Sequence, residues 1–166
     1  MEVDVVDISR IKKQNKAIVV IIPAYNEAAS IAKVLQEIPK DIVGEIIVVN
    51  NNSTDQTQDI AKECGATVLL EKRMGYGSAC LCGIEYLKTK DQQPDIVVFI
   101  DADYSDYPQE IIQLVAPILL DDASLVVGSR TSGNLQKGAL TPQQILGNWL
   151  AIKLIKWLYG VKYTDL

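Results

Sequence analysis

The chain has 166 residues, 48% hydrophobic and 22% charged, which fits one globular domain with a sizeable core. Its net charge of -5 and the lack of a basic block argue against a nucleic-acid partner, because phosphate contacts need clustered Lys and Arg. With 0 histidines it cannot build a Ser-His or Cys-His catalytic pair or a His-ligated metal site.

Residues 1–16 are mixed polar and charged and lack the apolar run of a signal peptide, so they read as an N-terminal extension to a domain over 17–166. No stretch reaches about 18 uncharged apolar residues, the length of a spanning helix. A cytoplasmic location follows, with peripheral contact at a membrane face left open. The cysteines, Cys64, Cys80 and Cys82, are odd in number and lack framework spacing, so they read as small apolar residues.

In chain order, the first strand is Ala17 to Pro23, AIVVIIP. Ile31, Val34, Leu35 and Ile38 then recur at helical spacing. Glu45 to Asn50, EIIVVN, is a second strand, and Ser53 with Gln56 forms a capping-box pattern for a second helix. Ala66 to Leu70 is a third strand, followed by a helical stripe of Cys80, Ile84 and Leu87. Asp95 to Asp101, DIVVFID, is a fourth strand. Pro108 suits the first turn of the next helix, which carries Ile111, Ile112, Val115 and Leu119. Ser124 to Gly128, SLVVG, is a fifth strand. Thr141, Pro142 and Gln144 open a final helix that runs to about Tyr159.

Short β-branched strands, apolar on both faces and alternating with helices, predict an α/β fold: a mostly parallel sheet with helices on both faces. Ligands of such sheets bind outside the carboxyl ends of the strands. The unusual residues lie there. Asp101-Ala102-Asp103 follows the fourth strand, and an extended chain would set both carboxylates on one side, where they could hold a hard divalent ion on a diphosphate. Pro23-Ala24-Tyr25-Asn26-Glu27 ends the first strand, with a flat ring at Tyr25 and a carboxylate at Glu27 able to accept from a base or ribose. Asn50 to Asp55 follows the second strand; such residues also serve as ordinary turn and cap formers. Lys72-Arg73-Met74-Gly75-Tyr76-Gly77 follows the third, where glycines beside cations permit close approach of an anion. This last motif is neither a Walker sequence nor G-x-G-x-x-G. Gly128-Ser129-Arg130 ends the fifth, with Arg130 suited to bidentate phosphate contact.

Taken together, PAYNE, VVNNNSTD, KRMGYGSA, FIDADYSDYP and VVGSR resemble the inverting family 2 glycosyltransferases. The tail from Gly138 to Leu166 resembles the dolichyl-phosphate mannose and glucose synthase branch. The resemblance implies a Rossmann-like GT-A three-layer sandwich and a metal-dependent hexosyltransferase. Pro23, Ala24, Tyr25, Glu27, Asn51, Gly77, Asp101 and Ala102 would bind the nucleotide, with Asn51 beside the base. Asp101 and Asp103 would hold Mg²⁺ or Mn²⁺. Asp103 and Arg130 would be catalytic, Arg130 meeting a phosphate of donor or acceptor. The donor would be a nucleoside diphosphate sugar, UDP favoured over GDP, and the acceptor a polyprenyl phosphate. Two departures are visible. Asn50 and Asn51 stand where the family commonly has an acid, and Ser105 stands where the mannose synthase branch often has Gln. Relatives continue past Thr164 to Leu166, so the domain is expected to be incomplete at its C-terminus.

The alternatives are a saccharide hydroxyl acceptor, which needs a carboxylate base such as Asp165, and a non-catalytic or truncated nucleotide-binding domain. A nucleotidyltransferase would favour a Gly-rich signature after the first strand, which PAYNE lacks. The final helix carries Lys153 and Lys156 as one narrow cationic stripe, with apolar residues around most of the rest. Trp149, Trp157 and Tyr159 have rings favoured at membrane interfaces. That helix is expected to lie on a bilayer or meet a lipid-linked acceptor; a homodimer would cover the same surface.

Overall fold

The structure, a computed structural model, describes residues 16–120 and 123–128, and further on 147, 149, 151–153, 157 and 160. Residues 1–15, Arg130, Thr141 to Leu146, Asp165 and most of the final helix lie outside the described residues. The chain forms two compact units, Met1–Val126 and Val127–Leu166.

The first unit contains four strands: β1 (Ile18–Ala24), β2 (Glu45–Asn50), β3 (Thr67–Leu70) and β4 (Ile96–Phe99). Between and after them come helices α1 (Ile31–Glu37), α2 (Thr57–Glu63), α3 (Tyr76–Lys88) and α4 (Ile111–Leu119). A single 3₁₀ turn at Pro108–Glu110 leads into α4, with Pro108 at its start, where a missing N–H costs nothing. The sheet is parallel throughout, in the order β3-β2-β1-β4. This is the expected α/β fold, and the sheet carries helices on both faces.

Alternation along β1 explains the layering. Val20 and Ile22 point into a core with Ile31, Val34 and Leu35 of α1, Ala61 of α2 and Ile111 and Val115 of α4. Val19 and Ile21 point the other way, with Ile47 and Val49 of β2, toward Ala79 and Leu87 of α3. Because β1 and β2 are covered on both sides, their sequences read as unbroken apolar runs. The buried line of α3 is Ala79, Gly83 and Leu87; of the predicted stripe Leu87 is buried, while Cys80 and Ile84 are partly buried beside it. Gly83 lets α3 approach β1 closely: a Cβ there would lie 2.8 Å from Ile21 Cγ2. All three cysteines are free and partly buried.

Two sequence expectations fail. Ser124 to Gly128 forms no strand, and Leu125 and Val127 are 79% and 78% exposed. A β-branched run becomes a strand only where a neighbouring strand takes its hydrogen bonds and its faces are covered; among the described strands none pairs with it. Nor do Ser53 and Gln56 form a capping box: α2 begins at Thr57 with no side-chain cap. The Ser53 hydroxyl instead accepts from the Asn26 N–H at 3.0 Å.

Candidate active site

The strand order reverses between β1 and β4, the switch point where open parallel sheets leave a crevice. Ile21 pairs with Phe99, so continuing that register brings Asp101 level with Pro23. A cleft of about 320 Å³ opens there. From the end of β1 it takes Pro23, Ala24, Tyr25 and Glu27; from beyond β4, Asp101, Ala102 and Asp103. Asn51, Tyr76 and Ala79 complete its wall. Eight residues singled out from sequence thus meet in one place. Gly77 does not join them: it lies in the first turn of α3, exposed, and lines no part of the cleft. The glycine with special geometry is Gly75, at φ +127° immediately before the helix. Arg130 lies outside the described residues.

The aspartates reach the cleft by a turn rather than by an extended strand. β4 ends at Phe99, and Tyr104 adopts the left-handed conformation at φ 63°. Asp101 is partly buried, and its N–H faces Asp106 Oδ2 at 3.4 Å. Asp103 is exposed, and its Oδ1 accepts from the Ser105 N–H at 2.9 Å. Ser105, in the position where the synthase branch often has Gln, therefore uses its backbone to orient the second carboxylate.

Among the described residues only Asn26, Asn52 and Tyr104 are non-glycines with positive φ. They follow β1, β2 and β4 respectively, and Gly75 does the same after β3. Uncommon backbone at every strand exit persists only where surrounding contacts over-determine it. Those contacts are visible. Asn26 Oδ1 accepts from the Thr54 N–H at 2.8 Å. The Glu27 N–H donates to the Thr57 hydroxyl at 2.8 Å, and the Ala28 N–H to Asp55 Oδ2 at 3.1 Å. Asp55 Oδ1 also accepts from the Thr57 N–H and hydroxyl. These bonds, from the Thr57 hydroxyl first and then from backbone N–H groups, hold the Asp55 carboxyl below its usual range. The NNNSTD segment therefore serves as scaffold, stitching the first strand exit to the second. Glu27 stays on the cleft, accepting from the Ser30 hydroxyl at 2.8 Å.

Tyr76, between Gly75 and Gly77, is a cleft residue that no spacing in the sequence marks. Its residue surface is 58% exposed, and the residue lines the cleft together with Asp101, its phenol hydroxyl partly buried. Partial burial of that hydroxyl and the Asp101 charge raise its pKa above the usual tyrosine range, which keeps it a donor. It sets a phenol beside the first aspartate.

Comparison with known proteins agrees with this geometry. The family model described as Glycosyl transferase family 2 matches residues 19–163. A hexosyltransferase of low-salt glycan biosynthesis from Haloferax volcanii is 31% identical over 88% of this chain, which spans 35% of that relative. A UDP-N-acetylglucosamine–dolichyl-phosphate N-acetylglucosaminyltransferase from Methanococcus voltae is 29% identical over 90% of this chain and 66% of its own length. Among solved structures, glucosyl-3-phosphoglycerate synthase from Mycobacterium tuberculosis, in complex with Mn²⁺, UDP and glucosyl-3-phosphoglycerate, superposes with a TM-score of 0.57 at 33% identity. That match covers 66% of this chain and 42% of the synthase. The fold is the Rossmann-like GT-A architecture of these enzymes. A family match over nearly the whole chain, on a sheet whose strand exits gather the D-x-D and PAYNE segments into one cleft, leads to one conclusion: the chain belongs to glycosyl transferase family 2.

Proposed function

We propose that the cleft binds a nucleoside diphosphate sugar and that the protein moves its hexose, with inversion, to a polyprenyl phosphate. The observation that carries this reading is the meeting of Asp101, Ala102 and Asp103 with Pro23, Ala24, Tyr25 and Glu27 at the switch point of the sheet. The assignment of residues 17–166 to one such domain belongs to the same proposal, and the family match over 19–163 supports it.

The residues fit a hard divalent ion. Asp101 and Asp103 both line the cleft, and their carboxylate oxygens are the donor chemistry Mg²⁺ and Mn²⁺ prefer. No group of three or more His, Cys, Asp or Glu is placed to hold a metal among the described residues, so diphosphate oxygens and water would complete the shell. When bound, the ion offsets the charge that develops on the leaving diphosphate. The Ser105 N–H donates to Asp103 and orients that carboxylate, while Tyr76 lines the cleft beside Asp101. Tyr25, 49% exposed on the cleft wall, offers its ring to the nucleoside, and Glu27 a carboxylate to ribose or base. Arg130 is assigned to a phosphate of donor or acceptor. UDP is the favoured carrier; the synthase structures containing UDP with Mn²⁺ or Mg²⁺ support that choice.

The acceptor follows from the chemistry available. A phosphate monoester is largely anionic at neutral pH, so its oxygen can attack without a general base. An oxygen–carbon bond forms at the anomeric centre as the bond to the diphosphate breaks, and the electron pair leaves with the diphosphate. A chain with 0 histidines suits this route, and the dolichyl-phosphate relative supports it. A second reading, a small phosphorylated hydroxyl acceptor, is favoured by the glucosyl-3-phosphoglycerate complex. It requires a carboxylate base.

The second unit bears on the lipid. Trp149 and Trp157 are 53% and 80% exposed, and Lys153 Nζ lies 4.1 Å above the Trp149 ring. Their i, i+4, i+8 spacing would set Trp149, Lys153 and Trp157 along one side of a continuous helix. Such a stripe suits peripheral contact at the cytoplasmic membrane face, with a homodimer as the competing use. Among the described residues no helix is long and apolar enough to cross a membrane. The experiment is transfer of labelled sugar from UDP-glucose, UDP-N-acetylglucosamine and GDP-mannose, with Mn²⁺, to polyprenyl phosphate or to 3-phosphoglycerate. Label entering the organic phase supports the lipid acceptor; label on phosphoglycerate alone refutes it.

A further inference from the structure

We propose that Asn51 is a positioning residue that latches the loop between β3 and α3 in place, and that its side chain does not select the nucleobase. The inference rests on the nucleotide-binding reading above for its second half only. Asn51 is 5% exposed although it borders the cleft. Its Nδ2 donates to Glu71 O at 3.0 Å and to Arg73 O at 2.8 Å. Its Oδ1 accepts from the Gly75 N–H at 2.8 Å. Both amide protons are therefore committed, and so is one of the two carbonyl lone pairs.

The latched loop has little else to hold it. Lys72, Arg73, Met74 and Gly75 are all exposed. Among the described residues, Asn51 is the only side chain from outside the loop that hydrogen-bonds the backbone of residues 71–75. Gly75 sits at φ +127°, a conformation that needs fixing from outside. Immediately beyond it stands Tyr76, which lines the cleft together with Asp101. Asn51 is itself anchored, its N–H donating to Ala24 O at 2.8 Å. The path thus runs from β1, through one buried amide, to the loop that delivers Tyr76.

In this chain an acid at this position would lose part of the latch. A carboxylate could still accept from Gly75, but it has no proton for the Glu71 and Arg73 carbonyls and would face both oxygens with a negative charge. An Asn51 that read the base would behave differently, since an aspartate could accept from a base N–H equally well.

The test pairs amide hydrogen exchange by NMR with calorimetric titration of UDP and GDP in Mn²⁺, using the full chain and the variants Asn51→Ala and Asn51→Asp. The wild-type Gly75 amide is expected to be protected, and Asn51→Ala, which removes its acceptor, to raise its exchange about tenfold or more while β1 and β2 keep theirs. UDP and GDP should weaken by the same factor, about tenfold, with their ratio unchanged and Asp no better than Ala. An unprotected Gly75 amide in the wild type overturns the latch without any variant. Retained UDP affinity in Asn51→Asp, or a changed UDP-to-GDP ratio in Asn51→Ala, overturns the claim on selectivity. Wild type that binds neither nucleotide, with Gly75 protected, removes the nucleotide reading and leaves the latch standing.

Discussion

The Tyr104 hydroxyl lies 2.8 and 2.7 Å from the two carboxylate oxygens of Glu37, and donates to that carboxylate across 67 residues of sequence. Gln109 donates to the same carboxylate at 2.9 Å, and Lys33 Nζ sits 3.6 Å above the Tyr104 ring. Tyr104 follows Asp103 directly and holds φ 63°. The loop bearing both aspartates is therefore pinned to α1. Tyr104→Phe keeps the ring and the cation over it and removes only the hydrogen bond. It should cost about 1.5 kcal/mol in urea unfolding, the low end for a bond to a charged acceptor. It should also weaken Mn²⁺-dependent UDP binding several-fold. Unchanged values for both would show that the loop holds itself.

Acid should loosen the first two strand exits together. Asp55 is stabilised as a carboxylate in the folded state, so its folded pKa lies below the ordinary 3.8. Its contribution is therefore complete above that ordinary value and is lost as pH falls through the depressed one. Asp55→Asn cannot titrate. Thermal unfolding followed from about pH 5 to about pH 2 should show a shallower acid limb for the variant than for the wild type. Parallel limbs would mean that the Thr57 and Ala28 bonds do not favour the charged form.

How much of this was legible in sequence depends on the range of the interaction. β1 and β2 were legible because burial on both faces leaves an unbroken apolar signature. The cleft residues were legible because a parallel sheet puts chemistry at its strand exits. What holds those exits was not. Tyr104 with Glu37, Asn51 with Gly75 and Asn26 with Ser53 are 67, 24 and 27 residues apart, and no local pattern encodes them. Ser53 illustrates the failure: its spacing to Gln56 mimics a capping box, but the hydroxyl is engaged by another loop. SLVVG failed for a related reason, since strand composition cannot supply a neighbouring strand.

Gly83 should tolerate no larger side chain. Val there would press on Ile21, which is buried at 0% exposure under α3. Overpacking of this kind costs about 1–3 kcal/mol. Because α3 carries Tyr76 at its start, Gly83→Val should lower both the unfolding midpoint and the affinity for nucleotide. A variant of wild-type stability would show that α3 can lift from the sheet freely.

Contact with lipid is checked by flotation. The folded chain mixed with liposomes containing anionic lipid should float, and the Trp149→Ser, Trp157→Ser double variant should not. A wild type that stays at the bottom as a dimer would assign the exposed tryptophans to assembly.

The claim that Asp101 and Asp103 hold a divalent ion on a nucleoside diphosphate is tested most directly by calorimetric titration of UDP into wild type and Asp103→Ala, with and without Mn²⁺. Wild type should bind UDP at least about tenfold more tightly with Mn²⁺, a difference of about 1.4 kcal/mol. The variant should bind weakly and show no response to the ion. Equal affinity in wild type and variant, with the same dependence on Mn²⁺, would contradict the account.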